Sequence, residues 1–438
     1  MNDQMLALLN LLQQSERKTL QQNLDKQLRQ MQKLIEHAIT TVPFYKTFYE
    51  GHDLNNVPIL TRDHIQQAGD DFKSQNMPSF NGECYPMTTS GTTGKFVTVL
   101  ATDLTRLFYD ALMLREHAWH NRDYSKKLMS IRWAKRGYAE APVGHYQTTW
   151  GPPINEYKET GPSILINVAS EVANQIEALL IHKPAFLSSY PSQLTVLAEY
   201  CIENFVEMPF LEELRMTGET LSDQAKKIMK RAWPKVKITD VYSCVEIGNI
   251  AQQCPEYGNY HITVENVFLE IVDEDGRPCA KHVPGRVLIT SLINYATPLI
   301  RYELGDYGVL GDDCPCGRGL PVLKRIEGRK RNRLILPNGE SRFPYLGERE
   351  EFYKIVNMAR KFQYVQHSVN DIELKAVIFK GEQVTKAQED AVKKYVQKNF
   401  GHPFNITITY HDDIPLGPTG KYEEFISHVR TNALVMNE

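Results

Sequence analysis

The chain has 438 residues, 42% of them hydrophobic and 24% charged, enough for two or three domains with a substantial core. A formal net charge of −3 gives no electrostatic footprint for nucleic acid or an anionic membrane, and no apolar run approaches the roughly 20 residues that span a bilayer. Seven cysteines over this length make no disulfide framework, and Met1-Asn2-Asp3-Gln4 opens no basic-then-apolar leader, so a cytoplasmic protein is expected.

Residues 16–41 read as one long amphipathic helix. Leu20, Leu24, Leu28, Met31, Ile35 and Ala38 form a stripe at three- and four-residue steps, and Pro43 ends it. Barely three heptads favour a packed surface helix over a coiled-coil arm, which leaves a homodimer as the lesser reading. Cys84-Tyr85-Pro86-Met87 then reads as a short strand and Phe96-Val97-Thr98-Val99-Leu100 as a β-branched one. Between them runs Thr88-Thr89-Ser90-Gly91-Thr92-Thr93-Gly94-Lys95, a tight strand–loop–strand turn. Its glycines allow close main-chain approach, its hydroxyls donate to oxygens, and its lysine neutralises charge. That is the chemistry of a polyphosphate loop, with a plain solvated turn as the competing reading. A Walker A loop is excluded, since two residues rather than four part the glycines and Phe96 follows the lysine.

The middle of the chain alternates strands with helices. Strand-like runs at 128–131, 185–187 and 236–238 interleave with helical patterns at 170–181, 191–206 and 221–232, which predicts α/β layers with largely parallel sheets. From Val267 the pattern becomes a hairpin, 268–272 and 287–290, turning at Asp275-Gly276. A break falls near 328–340, where Gly328-Arg329-Lys330-Arg331-Asn332-Arg333 is basic and Pro337-Asn338-Gly339 is a turn. Without interleaved aromatics that run fits an interdomain hinge better than a nucleic-acid patch. Beyond it a small α+β unit is expected: a strand at 372–379, a helix at 386–399 and an alternating strand at 406–410.

Cys254 and His261 are separated by six residues, and Cys314-Pro315-Cys316-Gly317 follows about fifty residues later. Three thiolates and an imidazole suit tetrahedral zinc, although free cysteines also serve as small buried apolar groups.

Four more segments complete the pattern: Thr217-Gly218-Glu219-Thr220, Val241-Tyr242-Ser243-Cys244-Val245-Glu246, the run from Pro298 to Asp306, and Pro418-Thr419-Gly420-Lys421. With the Ser90–Lys95 loop, they resemble in order and spacing the acyl-adenylate-forming superfamily, and within it the phenylacetate–coenzyme A ligase and coenzyme F390 synthetase-like branch. The resemblance implies a large N-terminal α/β domain over 1–328 and a small mobile C-terminal α+β domain over 329–438. It implies that Ser90, Gly91, Thr92, Thr93, Gly94 and Lys95 hold the β- and γ-phosphates of ATP. Gly218, Glu219 and Thr220 would line adenine, with Tyr242 stacked on its other face and Ser243 beside it. Glu246 would bind magnesium, Asp306 the ribose hydroxyls and Arg329 ribose or phosphate, while Lys421 would reach the carboxylate and α-phosphate. Cys254, His261, Cys314 and Cys316 match the zinc pattern of the synthetase-like relatives.

The implied reaction is ATP-dependent activation of an aromatic or arylalkanoic acid as its acyl-adenylate, then transfer to coenzyme A. Transfer to an amine or a carrier-protein thiol is the alternative. A noncatalytic nucleotide-binding protein is the third reading, motivated by Val245, where the family places Thr or Ser, and by Asn332 at the hinge. Tyr190-Pro191-Ser192 and the aromatics Trp133, Tyr138, His145, Tyr146 and Trp150 are candidates for the acid pocket.

Overall fold

The computed structural model describes residues 3–53, 57–88, 97–329, 334–342, 344, 352, 355, 359–379, 382–415 and 425–429. They fall into two compact units, Met1–Ile326 and Glu327–Glu438.

The helix expected over 16–41 is two helices, Asp3–Arg17 and Leu20–Thr41. Thr19 separates them with an extended backbone and a reciprocal cap: its hydroxyl accepts the Gln22 N–H and the Gln22 side chain accepts its own N–H. The expected stripe is also turned. Leu34, Ile35 and Ala38 are buried, but Leu24 and Leu28 are exposed, and Asn23 and Gln27 face inward instead. Asn23 Nδ2 donates to the carbonyls of Ser15 and Gly319 at 2.9 and 2.7 Å, and Gln27 Nε2 to those of Val264 and Val267 at 3.0 and 2.6 Å. A buried polar group left unpaired costs about 1–3 kcal/mol, so amides rather than leucines take this face.

A 12-stranded sheet organises the first unit. Its parallel centre runs Ser163–Asn167, Leu128–Arg132, Phe186–Ser189, Glu213–Thr217, Lys237–Cys244, side by side in that order. The helices Val172–His182, Pro191–Glu203 and Asp223–Ala232 make the crossovers that parallel neighbours require. Met129, Ile131, Ile166, Leu187, Leu214 and Met216 of these strands pack with Leu179, Leu194, Leu197 and Met229 of the helices in one core.

Among the described strand pairings, the sheet is parallel only there. Lys237–Cys244 turns straight into Gly248–Gln253, which pairs antiparallel with it and then with Tyr260–Ile262. A connection of three residues can join only antiparallel strands, and no helical pattern in the sequence follows Cys244 to supply a crossover. The hairpin Val267–Val272 with Gly285–Ser291 forms as expected, and Tyr302–Leu310 extends it.

Under the parallel strands lies a buried ion cluster. Glu116, near the end of the Asp103–Trp119 helix, takes Arg122 in a fork of two 2.6 Å bonds, and Arg122 takes Glu213 at 2.9 and 2.7 Å. All three are buried. Desolvation opposes charge on Glu116, but Arg215 and Arg122 outweigh it and hold the carboxyl below the usual range. Arg122→Met, which strips both carboxylates of this partner, is expected to lower unfolding stability by about 3 kcal/mol. Urea unfolding checks this, and a loss below about 1 kcal/mol would mean that the cluster re-pairs without it.

In the second unit a four-stranded sheet runs Asn405–Tyr410, Asp371–Ile378, Ala359–Gln366, Phe425–Ser427. The Lys386–Phe400 helix, capped by Thr385, packs Val392, Tyr395, Val396 and Phe400 in one core with Phe362, Tyr364, Ile372 and Leu374.

Candidate functional site

Strands Cys84–Thr88 and Thr98–Thr102 pair antiparallel, with the Thr88 and Thr98 hydroxyls 2.9 Å apart at the last pair. The run between them is therefore closed at its base as a hairpin. Ser90, Gly91, Thr92, Thr93, Gly94 and Lys95 lie outside the described residues, as do Asn332 and Lys421. Arg329 ends the strand Val322–Arg329, and only its main chain is described.

The other candidates gather at the C-terminal ends of the parallel strands, where the sheet changes to antiparallel pairing. Ligand crevices in open α/β sheets form at such ends. Gly218 follows Glu213–Thr217 at φ +84°, a left-handed conformation that glycine adopts without strain. The turn carries Glu219 to the start of the Pro191–Glu203 helix, where its carboxylate accepts the Ser192 N–H at 2.9 Å and the Ser192 hydroxyl at 3.0 Å. A carboxylate is favourable at a helix N-terminus, so this loop is pinned at its middle residue.

One strand over, the Ser243 hydroxyl lies 3.5 Å from that of Thr217. The buried Tyr242 donates its hydroxyl to Asp306 Oδ2 at 2.8 Å, which ties Lys237–Cys244 to Tyr302–Leu310. Glu246 sits in the three-residue turn between Cys244 and Gly248, and Gly248 has φ +85°. Its Oε1 accepts Arg62 Nη2 at 3.0 Å and the Tyr302 hydroxyl at 3.3 Å. Burial, then the Glu246 charge, push the Tyr302 hydroxyl above its ordinary range, so it stays a donor at neutral pH. Desolvation and the same carboxylate push the Cys244 thiol well up, which removes it as a nucleophile.

Among the pocket candidates, Trp150 belongs to the core. Its indole N–H donates to the Lys126 carbonyl at 2.8 Å, and its ring packs on Tyr124, His117 and Phe186. Trp133, Tyr138 and Tyr146 are exposed, with Tyr138 against His145 at 5.0 Å.

The four proposed zinc residues do come together: the ligand atoms of Cys254, His261, Cys314 and Cys316 all lie within 4.8 Å of one another. Cys314 Sγ is 3.8 Å from Cys254 Sγ, and Cys316 Sγ is 3.3 Å from His261 Nε2. A tetrahedral zinc with Zn–S of about 2.3 Å has S···S edges of about 3.8 Å and S···N edges of about 3.5 Å, so the donors fit such an ion. Burial pushes the Cys254 thiol up to about 11 and His261 down to about 4. Burial alone would raise Cys316 too, but the Arg318 main chain and guanidinium, with the two neighbouring thiols, hold it below its usual value. Arg318 also stacks on Trp119 at 4.7 Å and pairs with Glu16, linking the cluster to the first helix.

Arg62 gave no sequence signal, because it lies 184 residues from Glu246 in an unremarkable Thr-Arg-Asp run. Ser192 was legible only as part of a suspected pocket.

The family model for the CapK C-terminal domain matches residues 346–428. A phenylacetate–coenzyme A ligase of Thermus thermophilus is 30% identical over 169 residues, 37% of this chain and 38% of that ligase, so the match spans under two fifths of its length. Protein CapK of Staphylococcus aureus is 22% identical over 404 residues, covering 86% of this chain and 81% of that protein. A 2-hydroxyisobutyryl-CoA ligase, solved in its postadenylation state with 2-HIB-AMP, superposes with a TM-score of 0.72 at 17% identity, covering 94% of this chain and 91% of that one. That likeness shows the fold.

Proposed function

We propose, from a chain that has the fold of the adenylate-forming ligases and shares sequence with their phenylacetate–coenzyme A ligase branch, that it activates a carboxylic acid with ATP and passes the acyl group to coenzyme A. The observation that carries this reading is convergence. Glu219, Tyr242, Ser243, Glu246 and Asp306 come from three separate segments and meet at one end of the parallel strands.

Oxide is a hopeless leaving group, so a carboxylate must first be converted. Its oxygen attacks the α-phosphorus of ATP, the bond to the β-phosphate oxygen breaks, and pyrophosphate leaves. The thiolate of coenzyme A then attacks the acyl carbon and AMP departs with the bonding pair. The protein's part is alignment and charge dispersal. Ser90–Lys95 would hold the leaving phosphates, and Gly218–Thr220 with Tyr242 would hold adenine. Asp306, its carboxylate oriented by the Tyr242 hydroxyl, would accept both ribose hydroxyls. Arg329 would contact ribose or phosphate, and Lys421 would bridge the reacting carboxylate and α-phosphate.

Glu246, a hard oxygen donor, fits magnesium, which supplies charge neutralisation on the phosphates. Arg62 fixes the orientation of that carboxylate. Cys254, His261, Cys314 and Cys316 would hold zinc as a closed structural site. An aromatic or arylalkanoic acid is the substrate class the branch implies, with Trp133, Tyr138 and Tyr146 as the aromatics that stand clear of the core.

ATP–pyrophosphate exchange across a panel of carboxylic acids tests the reading. Acid-dependent exchange is the expected result, and an acceptor panel of coenzyme A, amines and a carrier-protein thiol then decides the second step. ATP binding without exchange for any acid would replace this reading with that of a noncatalytic nucleotide-binding protein.

A further inference from the structure

One face of the parallel strands carries more positive charge than the described residues offset. Ser130, Ser188, Arg215 and Thr239 stand in a row across four neighbouring strands. Arg132 is two residues beyond Ser130, hence on the same face and one row nearer the C-terminal strand ends. Glu116 and Glu213 share Arg122, and Arg215 reaches Glu116 at 3.2 Å. Arg132 is left with the buried Ser188 hydroxyl, to which its Nη2 donates at 2.9 Å, and with no carboxylate in ion-pair range among the described residues. The Arg215 Nε–H is also buried and has no hydrogen-bond partner there. Three guanidiniums thus face two carboxylates. The neighbouring His117 and His120 do not change the sum, because burial holds both mainly neutral.

Desolvation, then the Arg215 charge, pull Arg132 below its ordinary value, while the hydroxyls of Tyr190 and Tyr109 act on it in the opposite direction. A guanidinium stays charged even so. Leaving one desolvated without a counter-charge is costly, and the planar fork is suited to an oxyanion. The place also fits an acyl group better than a nucleotide. Arg132 is two strands from Thr217, on the side away from Tyr242 and Asp306, which at ordinary strand spacing is about 10 Å. That is the reach of a substituent at the far end of a small acid.

We propose that Arg132, supported by Ser188, binds a second anionic group on the acyl substrate, so that the acid this protein activates is a diacid or a close anionic analogue. The proposal rests on the adenylation reading above and sharpens its substrate class.

Matched pairs of acids test it: butyrate with succinate, and benzoate with isophthalate. Wild-type protein is expected to show pyrophosphate exchange with at least one diacid at a kcat/KM about a hundredfold above its partner monoacid. In Arg132→Met that ratio collapses about a hundredfold, mainly through KM, and Arg132→Lys restores part of it. A ratio unchanged in Arg132→Met, or a wild type that prefers the monoacids, overturns the proposal. Should Arg132→Met fail to fold by circular dichroism, Arg132→Gln is read in its place.

A thermal-shift measurement with the same acids separates this idea from the adenylation reading. If no acid supports exchange but a diacid raises the wild-type Tm and not that of the variant, the adenylation reading falls and the anion seat stands. If no acid supports exchange and none shifts the wild-type Tm, both fall.

Discussion

Lys421→Ala is expected to lower acid-dependent pyrophosphate exchange about a thousandfold, with ATP binding and the unfolding midpoint almost unchanged. The size follows from where charge moves. As the carboxylate oxygen approaches the α-phosphorus, two anions are forced together and negative charge spreads over the equatorial oxygens. An ammonium held between them stabilises that arrangement more than either ground state. Losing one preorganised donor at such a position costs about a hundred- to a thousandfold, and a charged donor belongs at the upper end, about 4 kcal/mol. The residue that makes this case is one lysine after Pro418-Thr419-Gly420. Exchange and ATP binding by equilibrium titration are measured side by side. A variant that exchanges within tenfold of wild type would remove Lys421 from the chemistry and leave alignment by the first unit to explain the rate.

Strand–helix alternation from 128 to 244 was legible in three strands and three helices, each with its own period, but Ser163–Asn167 and Glu213–Thr217, two of the five parallel strands, were not read from the sequence. The switch to antiparallel pairing after Cys244 was not, since it depends on the three-residue turn that places Glu246 rather than on any period. Thr19 split one expected helix into two through a capping box that was present in the sequence as Thr-x-x-Gln. Asn23 and Gln27 outranked Leu24 and Leu28 for the inner face because one carbonyl at a helix end, two in loops and one at a strand start needed donors, a demand invisible along the helix itself.

The site behaved the same way. Tyr242, Glu246 and Asp306 were found as motif positions, whereas Arg62 and Arg132 are solitary arginines whose meaning comes only from what lies opposite them. Chemistry carried by a run of residues is readable in one dimension. Chemistry carried by pairing across the fold is not.

Metal removal should have the larger structural effect. Purified protein is expected to hold one zinc per chain, and chelation or Cys314→Ser should cause cooperative loss of structure in the first unit. The four donors join the Gly248–Gln253 and Tyr260–Ile262 hairpin to the 314–316 turn, and Cys254, His261 and Cys314 are buried. Emptied, the site keeps three sulfurs and an imidazole held by weak sulfur hydrogen bonds among themselves and to Asn259 and Arg318, a thiol–thiol approach of 3.8 Å being a weak hydrogen bond at best. Structural zinc contributes on the order of 10 kcal/mol of apparent folding energy in small domains, comparable with the whole stability of a typical domain.

The pH dependence has a definite sign. Cys254 is pushed up to about 11, so it must lose its proton to bind the ion at neutral pH, and zinc binding releases protons. Affinity therefore falls as pH falls, and a fixed chelator concentration should strip the metal faster at pH 6 than at pH 8. Disorder should spread first to Asp3–Arg17, whose Glu16 is tied to the cluster through Arg318 and receives the Trp119 indole N–H at 3.1 Å. Hydrogen exchange before and after chelation reads this directly. Zinc-free protein with an intact melting transition and unchanged protection over that helix would mean that the four residues form a thiol cluster that needs no metal.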